Sequence, residues 1–411
     1  MRLAFQTPAA CALEARFAVA RQARANRAGF LILQKGKVLM QYRQFPRDGQ
    51  KVSALGMGCM RLPEKDGAVD VPNAVALIRR AVDGGVNYLD TAYPYHNQQS
   101  ERVVGEALKG GYRQRVLLAT KLPVWKVETS QDLETVFAEQ LDKLGVDYVD
   151  VYLLHALDRK RFEKVRALGA FDFLRRLRKE GRARRVGFSF HDEADVFREI
   201  LSAFDWDVCQ VQMNLLDEHR QATMDGVRLA AERGVGVIVM EPLRGGALTK
   251  TAPAEVDALY EACAPGRSRA DWAFRYLLDR PEITTILSGM STPGQLEENL
   301  RIFDAAGVGC LSAEEHETLA RVREAYEKRI PIGCTGCGYC QPCPQGVKIP
   351  EIFQAYDRAA MFDDQAAFSA FYAKEERPDC VGCLACEAAC PQHFATPIHQ
   401  RIQAIAREMR G

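Results

Sequence analysis

Residues 85–95 read Gly85-Val86-Asn87-Tyr88-Leu89-Asp90-Thr91-Ala92-Tyr93-Pro94-Tyr95. Tyr88–Thr91 is a short β-forming run that ends in polar side chains. It follows a segment of helical period, Val71–Asp83, closed by Gly84. A helical segment alternating with a short strand is the mark of a βα unit and a parallel sheet. Working outward, the same unit recurs along the chain. The strand candidates are Ser53–Gly58, Tyr88–Thr91, Val116–Thr120, Val149–His155, Arg185–Ser189, Val208–Met213, Val235–Met240 and Thr284–Ser288. Helices fit between them, among them Gln131–Leu144, Phe171–Lys179 and Met224–Arg233. Gly84, Gly145, Gly181 and Gly234 stand where a helix C-terminal cap favours glycine. Eight such units over about 250 residues predict an α/β chain built as a (β/α)8 TIM barrel across residues 40–325. A doubly wound sheet would need a G-x-G-x-x-G turn after its first strand. Leu55-Gly56-Met57-Gly58-Cys59-Met60 does not supply one.

In such a barrel the chemistry sits at the C-terminal ends of the strands. The second strand ends in Asp90 to Tyr95, the third in Thr120-Lys121 and the fourth in Leu153-Leu154-His155. Carboxylate, phenol, ammonium and imidazole on one face form a proton-transfer device. The two cationic neighbours are expected to lower the phenol's pKa toward working pH, so that it protonates a carbonyl oxygen as hydride arrives. The lysine stabilises the phenolate and the aspartate holds the lysine. Singly, Asp90 reads as a helix cap, Lys121 as a solvated side chain and His155 as a core histidine. At three successive strand ends the joint reading is functional.

Gly85 to Ala92, with Tyr95 and Ser100-Glu101, resembles the strand-two signature of the aldo/keto reductases, and the resemblance covers roughly Met40 to Phe303. It implies a catalytic tetrad of Asp90, Tyr95, Lys121 and His155. The family interval of five residues from the aspartate selects Tyr95 over Tyr93. It also implies NADP or NAD bound in extended form, and an aldehyde or ketone as the small-molecule carbonyl substrate. Ser189 and Gln210 correspond to the residues that hold the nicotinamide carboxamide, while Phe190 replaces the usual asparagine. Met240 stands where an aromatic ring often stacks. Cys59, Met60, Pro242, Leu243 and Gly245 are the further contacts implied. Gln295, Glu298 and Asn299 fall in the adenosine-binding turn. The basic residues that usually grip a 2′-phosphate fall on Gly289 and Gln295, leaving Arg244 or Arg301 as substitutes and the choice of dinucleotide open. Arg61, His96, His191 and Trp125 also lie near strand ends, where packing explains each as well as substrate contact.

The chain's tail carries a second chemistry. Cys334, Cys337, Cys340 and Cys343 precede Pro344, and Cys380, Cys383, Cys386 and Cys390 precede Pro391. The second run has the C-x2-C-x2-C-x3-C-P spacing of a [4Fe–4S] site, in which the fourth cysteine serves the other cluster. The alternatives are a tetrahedral zinc site or disulfides. Residues 344–379 separate the runs and include two amphipathic segments, Ile349–Tyr356 and Ala366–Tyr372. That spacing resembles the α-helical ferredoxin-like type, placed here at residues 326–411. The first run departs from the pattern, with two residues rather than three before Cys343. Two clusters are expected, one on Cys334, Cys337, Cys340 and Cys390, the other on Cys380, Cys383, Cys386 and Cys343. A ferredoxin-like redox partner follows if the clusters, not nicotinamide, supply the electrons. The alternative function is accordingly a ferredoxin-linked reductase or an electron-transfer or regulatory subunit.

Bulk properties set limits on this reading. A net charge of +1 gives no pull toward nucleic acid or anionic membrane, and no apolar stretch is long enough to span a bilayer. Cysteines clustered as for metal suit a reducing, cytoplasmic setting. Residues 1–39, rich in arginine with Glu14 as their one acid, are read as a disordered extension or a start-site artefact, with Met40 as the alternative start.

Overall fold

The structure is a computed structural model that describes residues 40–250, 252–334, 336, 338–374, 379–390 and 394–410. The expectations for residues 1–39 and for Cys337 lie outside the described residues. Eight parallel strands close into a barrel. They are β1 (Leu55–Gly58), β2 (Tyr88–Asp90), β3 (Leu117–Leu122), β4 (Val149–Leu157), β5 (Ala183–Phe190), β6 (Val208–Gln212), β7 (Gly236–Met240) and β8 (Ile283–Ser288). All eight expected strands are present, and neighbours in sequence are neighbours in the barrel.

Two apolar layers hold the barrel. Outside it, the strands pack against the helical ring through side chains such as Leu89, Leu118, Tyr152, Phe188 and Cys209. Inside it, Tyr88, Leu117, Ala119, Val151, Leu153, Val208, Ile238 and Leu287 fill the lumen. A short antiparallel hairpin, Tyr42–Gln44 with Lys51–Ser53, leads into β1. Just after its first strand, Phe45 joins the lumen cluster at 2 % exposure. Burying a ring of this kind contributes about 1.5–3 kcal/mol.

The helices obey local rules. Val71–Asp83 starts at Asp70, whose carboxylate accepts from the Asn73 amide, and has proline in its first turn. Ser130–Leu144 opens on a capping box between Thr129 and Asp132. Gly145, Gly181 and Gly234 take the left-handed conformation expected at a helix end, but Gly84 does not. There the positive φ falls one residue later, on Gly85 at 98°.

The tail is a separate helical cluster. Ile349–Phe362, Gln365–Ala373, Ala385–Ala389 and Ile398–Arg410 surround a core of Val347, Ile352, Phe353, Phe368, Ile402 and Ile405. Both expected amphipathic segments are helical and longer than their sequence patterns suggested. Tyr326, at the end of the barrel's last helix (Ala313–Glu327), meets Phe362 with ring centroids 5.2 Å apart. Among the described residues, no helix is long and apolar enough to cross a membrane.

Candidate active site

Strand alternation builds the site. Successive residues of a strand face opposite sides, so the residue two beyond a lumen residue also faces the lumen, one layer higher. Tyr88, Ala119, Leu153, Val208 and Ile238 fill the lumen. Two positions on stand Asp90, Lys121, His155, Gln210 and Met240, and all five line one open cleft of about 1040 Å³ at the C-terminal rim. Ser189, two beyond Gly187, joins them. A cavity of this size suits a ligand larger than a simple carbonyl compound.

Lys121 is fully buried and spends its three N–H bonds at once. Nζ donates to Asp90 Oδ1 at 2.6 Å, to the Thr91 carbonyl at 2.8 Å and to the Tyr95 hydroxyl at 3.3 Å. Burial works to lower its pKa, but Asp90 and the Tyr95 phenol outweigh this and hold the ammonium above its ordinary value. Tyr95 therefore receives a hydrogen bond from a permanent cation. Tyr93 lies elsewhere: its hydroxyl donates to Glu139 at 3.0 Å, and its ring is covered by Lys126 and Lys143.

The phenol's pKa departs from the sequence expectation. Burial raises it, and the Lys121 charge opposes the rise without reversing it. Tyr95 is thus a neutral proton donor across the physiological range, and the expected lowering does not occur. Burial, joined by the charges of Lys121, His191 and Arg161, holds the His155 pKa well below its ordinary value. His155 is a neutral imidazole, set edge-on to Tyr95 with ring centroids 6.0 Å apart and covered by Trp125 at 5.1 Å. Its buried Nδ1 has no hydrogen-bond partner among the described residues.

A local irregularity aims His155. The β4–β5 register shifts between Leu154 and Leu157, and Ala156 takes a φ of 54°. The Ala156 amide donates to Ser189 Oγ at 2.7 Å, leaving the serine's own hydrogen free to donate. Bulges of this kind re-aim side chains at barrel rims.

The remaining expected cofactor contacts divide sharply. Met60, Ser189, Gln210, Met240, Pro242, Leu243, Gly245, Gln295, Glu298 and Asn299 all line the cleft. Gln210 Oε1 is buried without a partner among the described residues, while its amide nitrogen faces the Met240 sulfur at 3.7 Å. An orphaned acceptor beside a free serine hydroxyl fits a carboxamide, which both donates and accepts. Cys59 is the exception. It is fully buried below the cleft, its amide bonded to the Asp90 carbonyl and its carbonyl to the Ser100 hydroxyl. That position braces the β1–β2 junction instead of facing a ligand.

Of the two suggested substitute cations, Arg244 is bound elsewhere, between Asp217 Oδ2 at 3.6 Å and the Met361 sulfur at 3.7 Å. Arg301 does not line the cleft. Arg61 does, and its side chain lies against Gly289 so closely that a Cβ there would stand 3.2 Å from it. Its aliphatic stem covers Gly289, while its guanidinium reaches Gly245, where a Cβ would stand 3.5 Å from Nη2. His96 and His191 line the cleft as well, whereas Trp125 only backs His155. Glu64 and Glu241 line it without having been singled out from the sequence. Glu241 directly follows β7, and that strand-end position was the available signal.

In the tail, Cys340, Cys343, Cys380, Cys383 and Cys386 line one small cavity. This includes the whole set expected for one cluster, together with Cys340 from the other. Cys390 is buried in the tail core, and Cys334 packs partly buried against it. Asp357 Oδ1 accepts from the Ile332 amide and Oδ2 from those of Gly333 and Cys334, which fixes the start of the first run. Gln403 holds the Cys380 carbonyl at 3.1 Å. A cavity walled by five thiols fits a thiolate-ligated iron–sulfur group by donor chemistry.

The sequence profile of the Aldo/keto reductase family matches residues 54–324. The chain belongs to the aldo/keto reductase family. It is an oxidoreductase by that membership, and a 4Fe-4S dicluster domain profile matches residues 333–395. Among this family member's relatives, L-galactose dehydrogenase of Arabidopsis thaliana is 28% identical over 308 residues, covering 70% of this chain and 95% of its own length. The NADH-specific methylglyoxal reductase of Escherichia coli (strain K12) is 27% identical over 329 residues, covering 67% and 96%. A solved aldo-keto reductase from Bacillus halodurans, in its holo form, superposes with a TM-score of 0.59 at 27% identity, covering 69% of this chain and 96% of its own. These matches centre on the barrel, and the cysteine tail lies outside the family profile.

Proposed function

We propose that the chain is an NAD(P)-dependent carbonyl reductase in which Tyr95 is the general acid, with an iron–sulfur module appended to it. The observation that carries this reading is the three-way hydrogen bonding of Lys121 at the floor of the cleft. It fixes a neutral phenol beside a cation, where negative charge will develop on a carbonyl oxygen. Bound nicotinamide would supply the hydride, and Ser189, Gln210 and Met240 would hold its ring. Tyr95 gives its proton to the carbonyl oxygen, Lys121 stabilises the phenolate left behind, and Asp90 keeps Lys121 charged and in place. His155, neutral and edge-on, orients the carbonyl oxygen through a hydrogen bond. The same groups run backward for alcohol oxidation.

Gln295, Glu298 and Asn299 would take the adenosine end. Arg61 attracts a 2′-phosphate and Glu298 repels one, so the choice between NADPH and NADH is set between these two side chains. The E. coli relative named NADH-specific is consistent with a site that lacks Lys or Arg in the turn itself. In the tail the proposal is two [4Fe–4S] clusters, with the fourth cysteine of each run serving the other cluster. They would carry single electrons, whereas the barrel moves a hydride.

Tyr95→Phe tests the barrel reading. Reduction of a simple aldehyde by NADH is expected to fall about 10²–10⁴-fold, the usual worth of a general acid, with NADH affinity nearly unchanged. Turnover close to that of the parent protein would remove Tyr95 from the mechanism. Cys383→Ser addresses the tail. Aldehyde reduction by NADH that survives it assigns the clusters a sensing or structural part, and loss of turnover favours electron supply through them.

A further inference from the structure

The residues immediately after Tyr95 adopt an unusual backbone. His96, Asn97 and Gln98 have φ values of 49°, 50° and 70°, three consecutive left-handed residues with no glycine among them. Side chains other than glycine adopt this region at an energetic cost, and mostly one residue at a time. Strain of this kind persists only where surrounding contacts over-determine it, and it collects at functional sites. The contacts here are those of His96. Its side chain is 6 % exposed, and both ring nitrogens are engaged. The Leu62 amide donates to Nε2 at 3.0 Å, and Nδ1 lies 3.0 Å from Glu64 Oε1.

These partners determine the tautomer. An Nε2 that accepts from a backbone N–H carries no proton, so Nδ1 carries it and donates to the Glu64 carboxylate. Leu62 and Glu64 belong to the loop after β1, which also contributes Met60 and Arg61 to the cleft. His96 therefore ties the loop that bears Tyr95 to the loop that bears Arg61. Without that tie, the next restraint on Tyr95 is the turn around it: the Tyr95 amide bonds the Ala92 carbonyl, and its carbonyl accepts from Ser100 at 3.3 Å. Among the described residues, only the hydrogen bond of 3.3 Å from Lys121 holds the hydroxyl itself.

We propose that His96 is a positioning residue for Tyr95: its neutral Nδ1–H tautomer, pinned by the Leu62 amide and Glu64, holds the strained 96–98 turn and with it the phenol beside Lys121. The proposal rests on the reading of Tyr95 as general acid. It makes the left-handed turn part of the catalytic apparatus, although His96 itself touches no reacting atom.

The test uses the full-length chain with NADH and 4-nitrobenzaldehyde as probe substrate, and compares His96→Leu, His96→Gly and His96→Gln. Leucine removes both hydrogen bonds at similar bulk. Glycine removes them while relieving the backbone. Glutamine can accept from the Leu62 amide and donate to Glu64. His96→Leu and His96→Gly are expected to lose turnover by about 10²-fold, the order expected when a reacting group is displaced by an ångström. The dissociation constant for NADH should stay within about twofold in both, since a displaced phenol leaves the carboxamide contacts intact. His96→Gly, relieved of the backbone strain, should melt above His96→Leu while being no more active, separating activity from stability. His96→Gln should recover most of the turnover. Parent-like turnover in His96→Leu would overturn the proposal, as would a His96→Gln protein as poor as His96→Leu. Tyr95→Phe, run alongside, keeps the two readings apart. If it retains turnover, the general-acid assignment falls. If it is inactive while His96→Leu is unimpaired, only the positioning role falls.

Discussion

At the scale of the residue, the site depends on which charges the barrel keeps. Lys121 stays charged because its partners outweigh its burial, and His155 stays neutral because its surroundings add to burial. His191, also on the cleft, is held below its ordinary pKa by burial. A histidine depressed in the folded state is protonated first in the unfolded chain. Its stabilising effect is complete above about pH 6.5 and is lost as pH falls below that value toward the folded pKa. The melting temperature is therefore expected to drop as pH is lowered from about 7 to 5. His155→Asn should show a shallower drop than the parent protein. Identical slopes in the two would show that His155 ionises freely in the folded barrel. Positions at this scale were readable in advance, because Asp90, Lys121 and His155 sit at strand ends and Tyr95 in the loop that follows one. The direction of the Tyr95 shift was not, since desolvation depends on packing that no spacing encodes.

Elements bring these residues into register. β3 lies between helices Ser100–Leu108 and Ser130–Leu144, and a buried polar network joins all three. Gln140 Nε2 donates to Glu101 Oε1 at 2.7 Å and to the Lys121 carbonyl at 3.0 Å and lies 3.1 Å from Thr120 Oγ1, while Tyr152 donates to Gln140 Oε1 at 2.8 Å. The amide thus clamps the backbone of Lys121 from behind. Gln140→Leu strands the Tyr152 hydroxyl and takes one of two donors from Glu101, which keeps Thr120, and is expected to cost about 1–3 kcal/mol in urea unfolding at neutral pH. A loss within error of zero would mean that water or a side-chain shift replaces the clamp. Strands and helices were legible because their periods, 2.0 and 3.6 residues, are properties of the local backbone. The irregularity at Ala156 was not. It depends on a hydroxyl from the neighbouring strand, and nothing within Val149–Leu157 announces it.

Across the whole molecule, one tail helix contacts both the first cysteine run and a loop that borders the cleft. On Ile349–Phe362, Asp357 fixes the backbone before Cys334, and Met361 and Phe362 meet Arg244. Arg244 belongs to the loop that supplies Leu243, Gly245, Gly246 and Thr249 to the cleft. Arg329 adds a bond to the Ala360 carbonyl at 3.2 Å and an ion pair with Asp363. A helix that holds the cysteine loop at Asp357 and meets the barrel one turn later can pass a change in that loop to the cleft. Arg244→Ala removes that link while Asp217 keeps Gln212 and Asn214 as partners. The variant is expected to bind NADH about five- to tenfold more weakly by fluorescence titration, an ordinary size for coupling between sites. Unchanged affinity would show that tail and cleft act independently.

From the sequence alone came the barrel, the cysteine tail and the strand-end positions of Asp90, Lys121 and His155, because period, strand-end position and ligand spacing are local properties of a chain. The tertiary structure decided the rest. It turned Tyr93 away and Tyr95 inward, buried Cys59, bound Arg244 to the tail and brought Arg61 over Gly289. It also left the Tyr95 phenol neutral and followed it with a histidine whose two partners lie more than thirty residues upstream. Each of these depends on contacts between segments distant in sequence, and only the closed barrel brings them within hydrogen-bonding reach.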